Sequence, residues 1–329
     1  MGFGPKLFQF HKKETQYTLR LIPLGGYCMM LSEDDEENEN DENSFEKKSI
    51  WARMAVVLAG PAMNFVIAFL FSMVIIHFCG SDPAIIGAVY NKDNIEKYQI
   101  ENAEEYFNGV YPAEEAGISD GDQVLKIEGS TVKNFRELQI YLQIYGDGSP
   151  IDLTLEKEDG TVYDTTVHPA KTPDGYKIGI MSVGYQLPKN FGELCKYSAY
   201  ETRYWVKATF LSLKLIVTRQ VSSDEVSGPV GVAKNMNDTF NEAAKSSVLD
   251  LFLNWMNYIV LLSANLGVMN LLPIPGLDGG RFIFLLIEAV TRKKVPKDKE
   301  NIVTLIGFVL VMLLMVVILF NDIKNVFFH

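Results

Sequence analysis

The chain has 329 residues, 48% of them hydrophobic and 22% charged, with a formal net charge of −11. That apolar content excludes a disordered chain, and the acidic balance excludes a nucleic-acid binder built on a broad basic surface. Cys28, Cys79 and Cys195 are too few and too scattered for a disulfide framework or a cysteine-based zinc site, and they read as isolated thiols.

The average conceals a segregation of charge. Residues 1–54 hold 7 basic against 10 acidic side chains, residues 55–80 hold none, residues 81–185 hold 8 against 19, and residues 186–329 hold 15 against 12. One internal block therefore owns the acidic balance, and an uncharged apolar stretch leads into it.

In chain order, residues 7–11 and 15–22 are short strand-like runs around the polar turn Lys12-Lys13-Glu14. Tyr17, Leu19 and Leu21 alternate with Thr18 and Arg20, the period of a half-buried antiparallel hairpin. Pro23 and Gly25-Gly26 break that pattern, and residues 33–42, eight of them acidic, read as a solvated loop. Residues 54–80 contain no Asp, Glu, Lys or Arg and are long enough to cross a bilayer as a helix. Residues 84–185 read as a β-rich block with strand patterns at 124–127 and 151–156 and an amphipathic helix at 134–145. Acidic-Gly turns punctuate it at Asp120-Gly121, Asp147-Gly148 and Asp159-Gly160. Residues 191–219 are helical by pattern, and Glu201, Arg203, Lys207 and Lys214 interrupt their large apolar side chains. That mixture suits a helix lying at the membrane surface, with a loop around Gly228-Pro229 before residue 248. Residues 251–272 and 302–320 are two further uncharged membrane spans, separated by a basic loop at 281–301.

Lys47, Lys48 and Arg53 precede the first span, and Arg281, Arg292, Lys293, Lys294, Lys297 and Lys299 lie between the other two. This places residues 1–53 and 281–301 on the cytoplasmic side and residues 81–248 and the C-terminus outside. The predicted fold class is an α-helical membrane protein with three transmembrane helices here, an inserted α+β domain and an N-terminal membrane-associated β-hairpin.

The stretch from Asn265 to Gly280, NLGVMNLLPIPGLDGG, carries the most chemistry. It runs off an apolar helix, and two prolines and three glycines then disrupt the backbone. Backbone freed at membrane depth has to be satisfied by protein or by a water-lined cavity. Asp278 is an ionisable group at or near the membrane, where a carboxylate is expensive. Its place fits a metal ligand, a proton relay, a structural ion pair, or a cap for a helix starting at Gly279. In the first span, Gly60 within Gly60-Pro61-Ala62-Met63-Asn64 admits close helix packing, and Asn64 is suited to bond a neighbouring helix or a substrate backbone.

Taken together, these segments resemble the bacterial site-2 proteases, the zinc metalloproteases of regulated intramembrane proteolysis. The resemblance is carried, in family order, by GFGPKLF at 2–8, RLIPLGGY at 20–27, AGPAMN at 59–64, SGPVG at 227–231 and NLLPIPGLDGG at 270–280. Residues 110–129, VYPAEEAGISDGDQVLKIEG, with the helix that follows, are similar to a PDZ domain, a module that binds extended peptide ends by strand addition. The inserted α+β domain is thereby identified as PDZ-like. The resemblance implies a zinc ion held by two His of a His-Glu-x-x-His helix and a later Asp, the position that Asp278 matches. Three protein ligands leave room for a water that zinc acidifies. It further implies that Gly25, Gly26, Tyr27 and Asn64 help to hold an unwound substrate segment in extended form. The implied partners are membrane-anchored regulatory proteins such as anti-sigma-type proteins, peptide ends at the PDZ-like domain, and the lipid of a bacterial inner membrane.

One family element has no counterpart in residues 1–329. No His-Glu-x-x-His occurs, and none of His11, His77, His168 and His329 has a histidine four residues away. Zinc is therefore not expected to bind stably to this chain, which also lacks the catalytic base. Two readings follow: an N-terminally truncated and inactive intramembrane zinc protease, or a non-catalytic membrane PDZ protein that binds peptide ends. A proton-relay role for Asp278 in a transporter fits less well, because three spans around one large insert form no obvious repeat.

Overall fold

The computed structural model describes residues 3–12, 15–22, 45–92, 107, 109–173, 175–218 and 228–328. The expected substrate residues Gly25, Gly26 and Tyr27 and the acidic run at 33–42 lie outside the described residues.

Strands β1 (Phe3–Lys12) and β2 (Thr15–Ile22) pair antiparallel, with Phe8 opposite Leu19 and Phe10 opposite Tyr17. Opposed and alternate residues of a hairpin share a face. Phe8, Phe10, Tyr17, Leu19 and Leu21 therefore make an apolar face, exposed throughout, on which Phe10 stacks on Tyr17 at 4.8 Å.

Helix α1 (Ile50–Cys79) begins before the uncharged run because Ser49 caps it, its Oγ accepting from Ala52 N at 3.3 Å. It continues through Pro61 and stops at Gly80, where a Cβ would stand 2.6 Å from the carbonyl oxygen of Gln186. Ser81 and Gln186 exchange backbone hydrogen bonds of 2.9 and 2.8 Å. The β-rich block thus opens and closes side by side at the end of α1.

That block comprises β3 (Ile86–Val89), α2 (Pro112–Glu115), β4 (Gln123–Ile127), β5 (Ser130–Thr131), α3 (Phe135–Ile144), β6 (Ile151–Glu156), β7 (Val162–Val167), β8 (Ala170–Thr172), β9 (Gly175–Lys177) and β10 (Ile180–Ser182). Four strands form an antiparallel sheet in the order β5-β4-β6-β7, and β10 returns to pair antiparallel with β3. Alternation along β6 turns Ile151, Leu153 and Leu155 into the core, each such burial contributing about 1.5–3 kcal/mol. Asn134 caps α3 by accepting from Glu137 N at 2.8 Å, and the helix lays Leu138 and Tyr141 on the same core.

The remaining helices are α4 (Phe191–Val217), α5 (Pro229–Ser246), α6 (Val248–Leu271), α7 (Asp278–Thr291) and α8 (Lys297–Phe328). Among the described residues three helices, α1, α6 and most of α8, are long and apolar enough to cross a membrane. α1 and α6 meet through small residues: Ala68 packs with Val260 and Ala264, and Gly267 lies under the Phe65 ring.

α4 packs beside the spans, where Trp205 joins the cluster between α1 and α6 and the Thr209 hydroxyl donates to Asn265 of α6. Its Glu201, Arg203 and Lys207 bond the β-rich block. Two segments differ from the sequence expectation. Residues 229–231, expected as part of a loop at 227–231, open α5; Gly228-Pro229 starts a helix, since proline suits a first turn. Asp322 of α8 accepts from Gly228 N, Val230 N and Gly231 N at 3.1, 2.6 and 2.8 Å, satisfying the amides of that turn. Residues 281–291, expected as the start of a basic loop, belong to α7, which packs Phe282 and Leu285 against α1. The basic residues Arg292, Lys293 and Lys294 follow it, Arg292 closing the helix with a left-handed φ of 54°.

Candidate functional site

α6 ends at Leu271, and a tight turn hands the chain to α7. Leu272 N donates to Met269 O, Ile274 N to Leu272 O, Leu277 N to Ile274 O and Gly280 N to Leu277 O, all at 2.7–3.1 Å. The turn thus satisfies much of its own backbone, as irregular chain near a membrane must. Its glycines are steric requirements. A Cβ on Gly280 would stand 2.5 Å from Ile274 O, one on Gly279 would collide with Leu272 O, and one on Gly307 of α8 would collide with Pro275 O. Backbone packs on backbone, and α8 seals the turn from one side.

Asp278 is the first residue of α7, and Leu277 is the cap position, without a side-chain hydrogen bond. The carboxylate looks across to the first span. A Cβ on Gly60 of α1 would lie 3.4 Å from Asp278 Oδ2. Glycine at position 60 thus leaves room for a carboxylate against the helix. Asn64, half-buried, lies one turn beyond Gly60 on the same face of α1. The two sequence motifs, far apart in the chain, meet at this junction.

His11, His77 and His168 do not join them. His77 is 17 residues beyond Gly60 on α1, about 25 Å of helix rise. His11 is on β1 and His168 follows β7. Among the described residues no group of three or more His, Cys, Asp and Glu side chains could hold a metal ion. Among the described residues the junction offers one carboxylate, short of the three protein ligands of a catalytic zinc site.

The β-rich block carries a separate cleft of about 790 Å³ between α3 and the chain entering β10. Phe135, Leu142, Ile178 and Ile180 give it an apolar lining, and Gln139 and Gln143 stand at its side. The same helix binds α4 from its other face. Glu137, nearly fully buried, takes Lys207 Nζ at 2.6 Å and Arg203 Nη1 at 3.0 Å, while Arg136 pairs with Glu201. Lys207 and Arg203 also donate to Thr131 O at 2.6 and 3.1 Å. Beside this clamp, burial pushes the Asp82 carboxyl above its ordinary range, opposed by the hydrogen bond from Ser182 and by the charge of Arg136.

Sequence reading missed one pair at the candidate site, Arg53 and Glu288, whose side chains bond at 2.5 Å with little exposure on either. A signal was present. Glu288 is the lone charge inside the apolar run from Phe282 to Val290, and such residues usually mark a partner. The 235 residues separating the two gave no clue to which partner.

The sequence profile of Peptidase family M50 matches residues 1–314. The chain is similar to a Clostridium acetobutylicum protein described only provisionally as a zinc metalloprotease, at 35% identity over 325 residues, covering 98% of this chain and 87% of that protein. It is similar to the zinc metalloprotease RasP of Geobacillus kaustophilus at 31% identity over 405 residues, covering 99% and 90%. The regulator of sigma-W protease RasP of Bacillus subtilis is 28% identical over 408 residues, again covering 99% and 90%.

Proposed function

Since the chain belongs to Peptidase family M50, we propose that residues 1–329 form the carboxylate-bearing and substrate-facing part of an intramembrane zinc protease, with Asp278 as one metal ligand. The observation that carries this reading is the approach of Asp278 Oδ2 to Gly60, which sets a carboxylate against the first span where glycine leaves room for it. The substrates on this reading are membrane-anchored regulatory proteins of anti-sigma type in a bacterial inner membrane. Asn64, with Gly25, Gly26 and Tyr27, holds the unwound substrate segment. The β-rich block is PDZ-like and extracytoplasmic, and its cleft takes an extended peptide end as an added strand.

Residues 1–329 do not by themselves hold zinc on this reading, because one carboxylate cannot replace three ligands. Two imidazoles and a base have to come from polypeptide outside residues 1–329. The test is metal content. Purified residues 1–329 are expected to carry no stoichiometric zinc, and the chain joined at Met1 to an apolar helix bearing His-Glu-x-x-His is expected to carry it. Asp278→Ala in the joined chain is expected to lose it; full zinc occupancy in that variant removes Asp278 from the site.

A second reading, a non-catalytic membrane protein that binds peptide ends, is favoured by the cleft at α3 and β10, which needs no metal. Zinc binding and peptide cleavage by the joined chain would decide against it.

A further inference from the structure

α7 lies antiparallel along the first turns of α1. Phe282 and Leu285 pack on Met54, Val57 and Ile50 in the middle of the contact. At one end stands the Arg53–Glu288 pair, 2.5 Å apart, with side chains 9% and 16% exposed. At the other end Asp278 faces Gly60. The apolar contacts between the two helices are non-directional and do not by themselves name one partner residue for another. A slip of α7 by one residue would move Asp278 by about 1.5 Å along the axis and 100° around it, away from Gly60.

A buried ion pair is a poor way to gain stability, since apolar residues of similar volume often hold such a place as well or better. Here the cost is evident: Arg53 Nε is buried without a hydrogen-bond partner. What a directional pair supplies, and apolar packing does not, is a single register. We propose that Arg53 and Glu288 are positioning residues that lock α7 against α1 and so set Asp278 opposite Gly60. The proposal rests on Asp278 being the functional carboxylate, but its test reads geometry and needs neither metal nor activity.

In the full chain with Cys28, Cys79 and Cys195 replaced by serine, Gly60→Cys and Asp278→Cys are introduced together. Oxidant-driven disulfide formation is then followed in membranes. The pair is expected to cross-link, because a Cβ at position 60 would lie 3.4 Å from Asp278 Oδ2, so the two positions face each other across the helices. Arg53→Met and Glu288→Gln are each expected to slow the reaction about tenfold or more, through loss of the shared register. The charge reversal Arg53→Glu with Glu288→Arg is expected to recover most of the rate. Arg53→Lys, which keeps the charge, is expected to retain cross-linking even where Arg53→Met fails to accumulate. Unchanged rates in both single variants, or no recovery on charge reversal, overturn the lock while leaving Asp278 as a metal ligand untouched. Zinc retained by Asp278→Ala would instead sink the functional reading and leave the register result standing.

Discussion

Glycine serves different ends in the β-rich block and in the membrane helices. In the block, Gly129 and Gly160 have positive φ of 70° and 84°, and a Cβ on either would meet nothing within 4 Å. They are there for a turn. In the helices, Gly267, Gly279, Gly280 and Gly307 have no such conformation, and each is fixed by what lies against it: a ring or a backbone carbonyl. Charge divides the same way. Asp147 and Asp159 in the block accept amides of their own turns, from Ser149 N and Thr161 N at 2.8 Å each, and remain in solvent. Glu137, at the boundary with α4, is buried and answers two cations from a distant helix. Local features thus shape these turns of the block, and long-range contacts shape the helical part and its junction with the block.

The largest test of that division is at the boundary. Glu137→Ala leaves Arg203 and Lys207 without their anion and Lys133 N without the acceptor it bonds at 2.8 Å. Breaking a buried pair by removing one member costs about 3–5 kcal/mol. The thermal unfolding midpoint of the purified chain in detergent is expected to fall sharply, and α4 to become open to protease. A loss no greater than that of an exposed surface variant would mean that α4 is held by α1 and α6 alone.

Next come the two kinds of glycine. Gly280→Ala sets a methyl group against Ile274 O and the Pro275 backbone, which cannot rotate away, and overpacking of this kind costs up to about 3 kcal/mol. Gly160→Ala meets no neighbour and carries only the left-handed backbone penalty, about 1 kcal/mol. Unfolding midpoints of the two variants, measured side by side, are expected in that order. Equal losses would show that the turn between α6 and α7 relaxes and that its glycines are not steric requirements.

This division also explains what could be read from the amino acids alone. Features with a local cause were legible: three uncharged runs, the alternation of β6, the acidic-Gly turns, and Asp278 as a costly carboxylate beside broken backbone. Those with a distant cause were not. Gly228-Pro229 read as a loop because the group completing α5, Asp322, lies more than 90 residues away. Residues 281–291 of α7 read as part of a basic loop because Arg292 to Lys299 dominate the charge count, although the apolar spacing of Phe282 and Leu285 is in view. The partners of Glu201, Arg203 and Lys207 were not legible either, since nothing near them in the chain announces Glu137 or Arg136. The meeting of Gly60 with Asp278 is the same kind of fact: each motif was visible, and the contact between them was not.

The smallest effect concerns Asp82, where the block joins α1. Burial is the main influence on its carboxyl and raises the pKa above the ordinary 3.8, outweighing the Ser182 hydrogen bond and the Arg136 charge. The folded chain therefore holds this proton more tightly than the unfolded chain does. Stability on this account falls as pH rises through the window from 3.8 to the raised value, and the full penalty of the ionised group persists above it. Asp82→Asn keeps an oxygen to accept from Ser182 but cannot ionise. Relative to the parent, its unfolding midpoint is expected to climb as pH rises through that window and then level off at neutral pH. A relative midpoint that falls with rising pH would mean that the Arg136 charge, and not burial, governs Asp82. The boundary carboxylates Asp82 and Glu137 would then both be held by cations, and the block would be joined to the helices by charge at every buried acid tested.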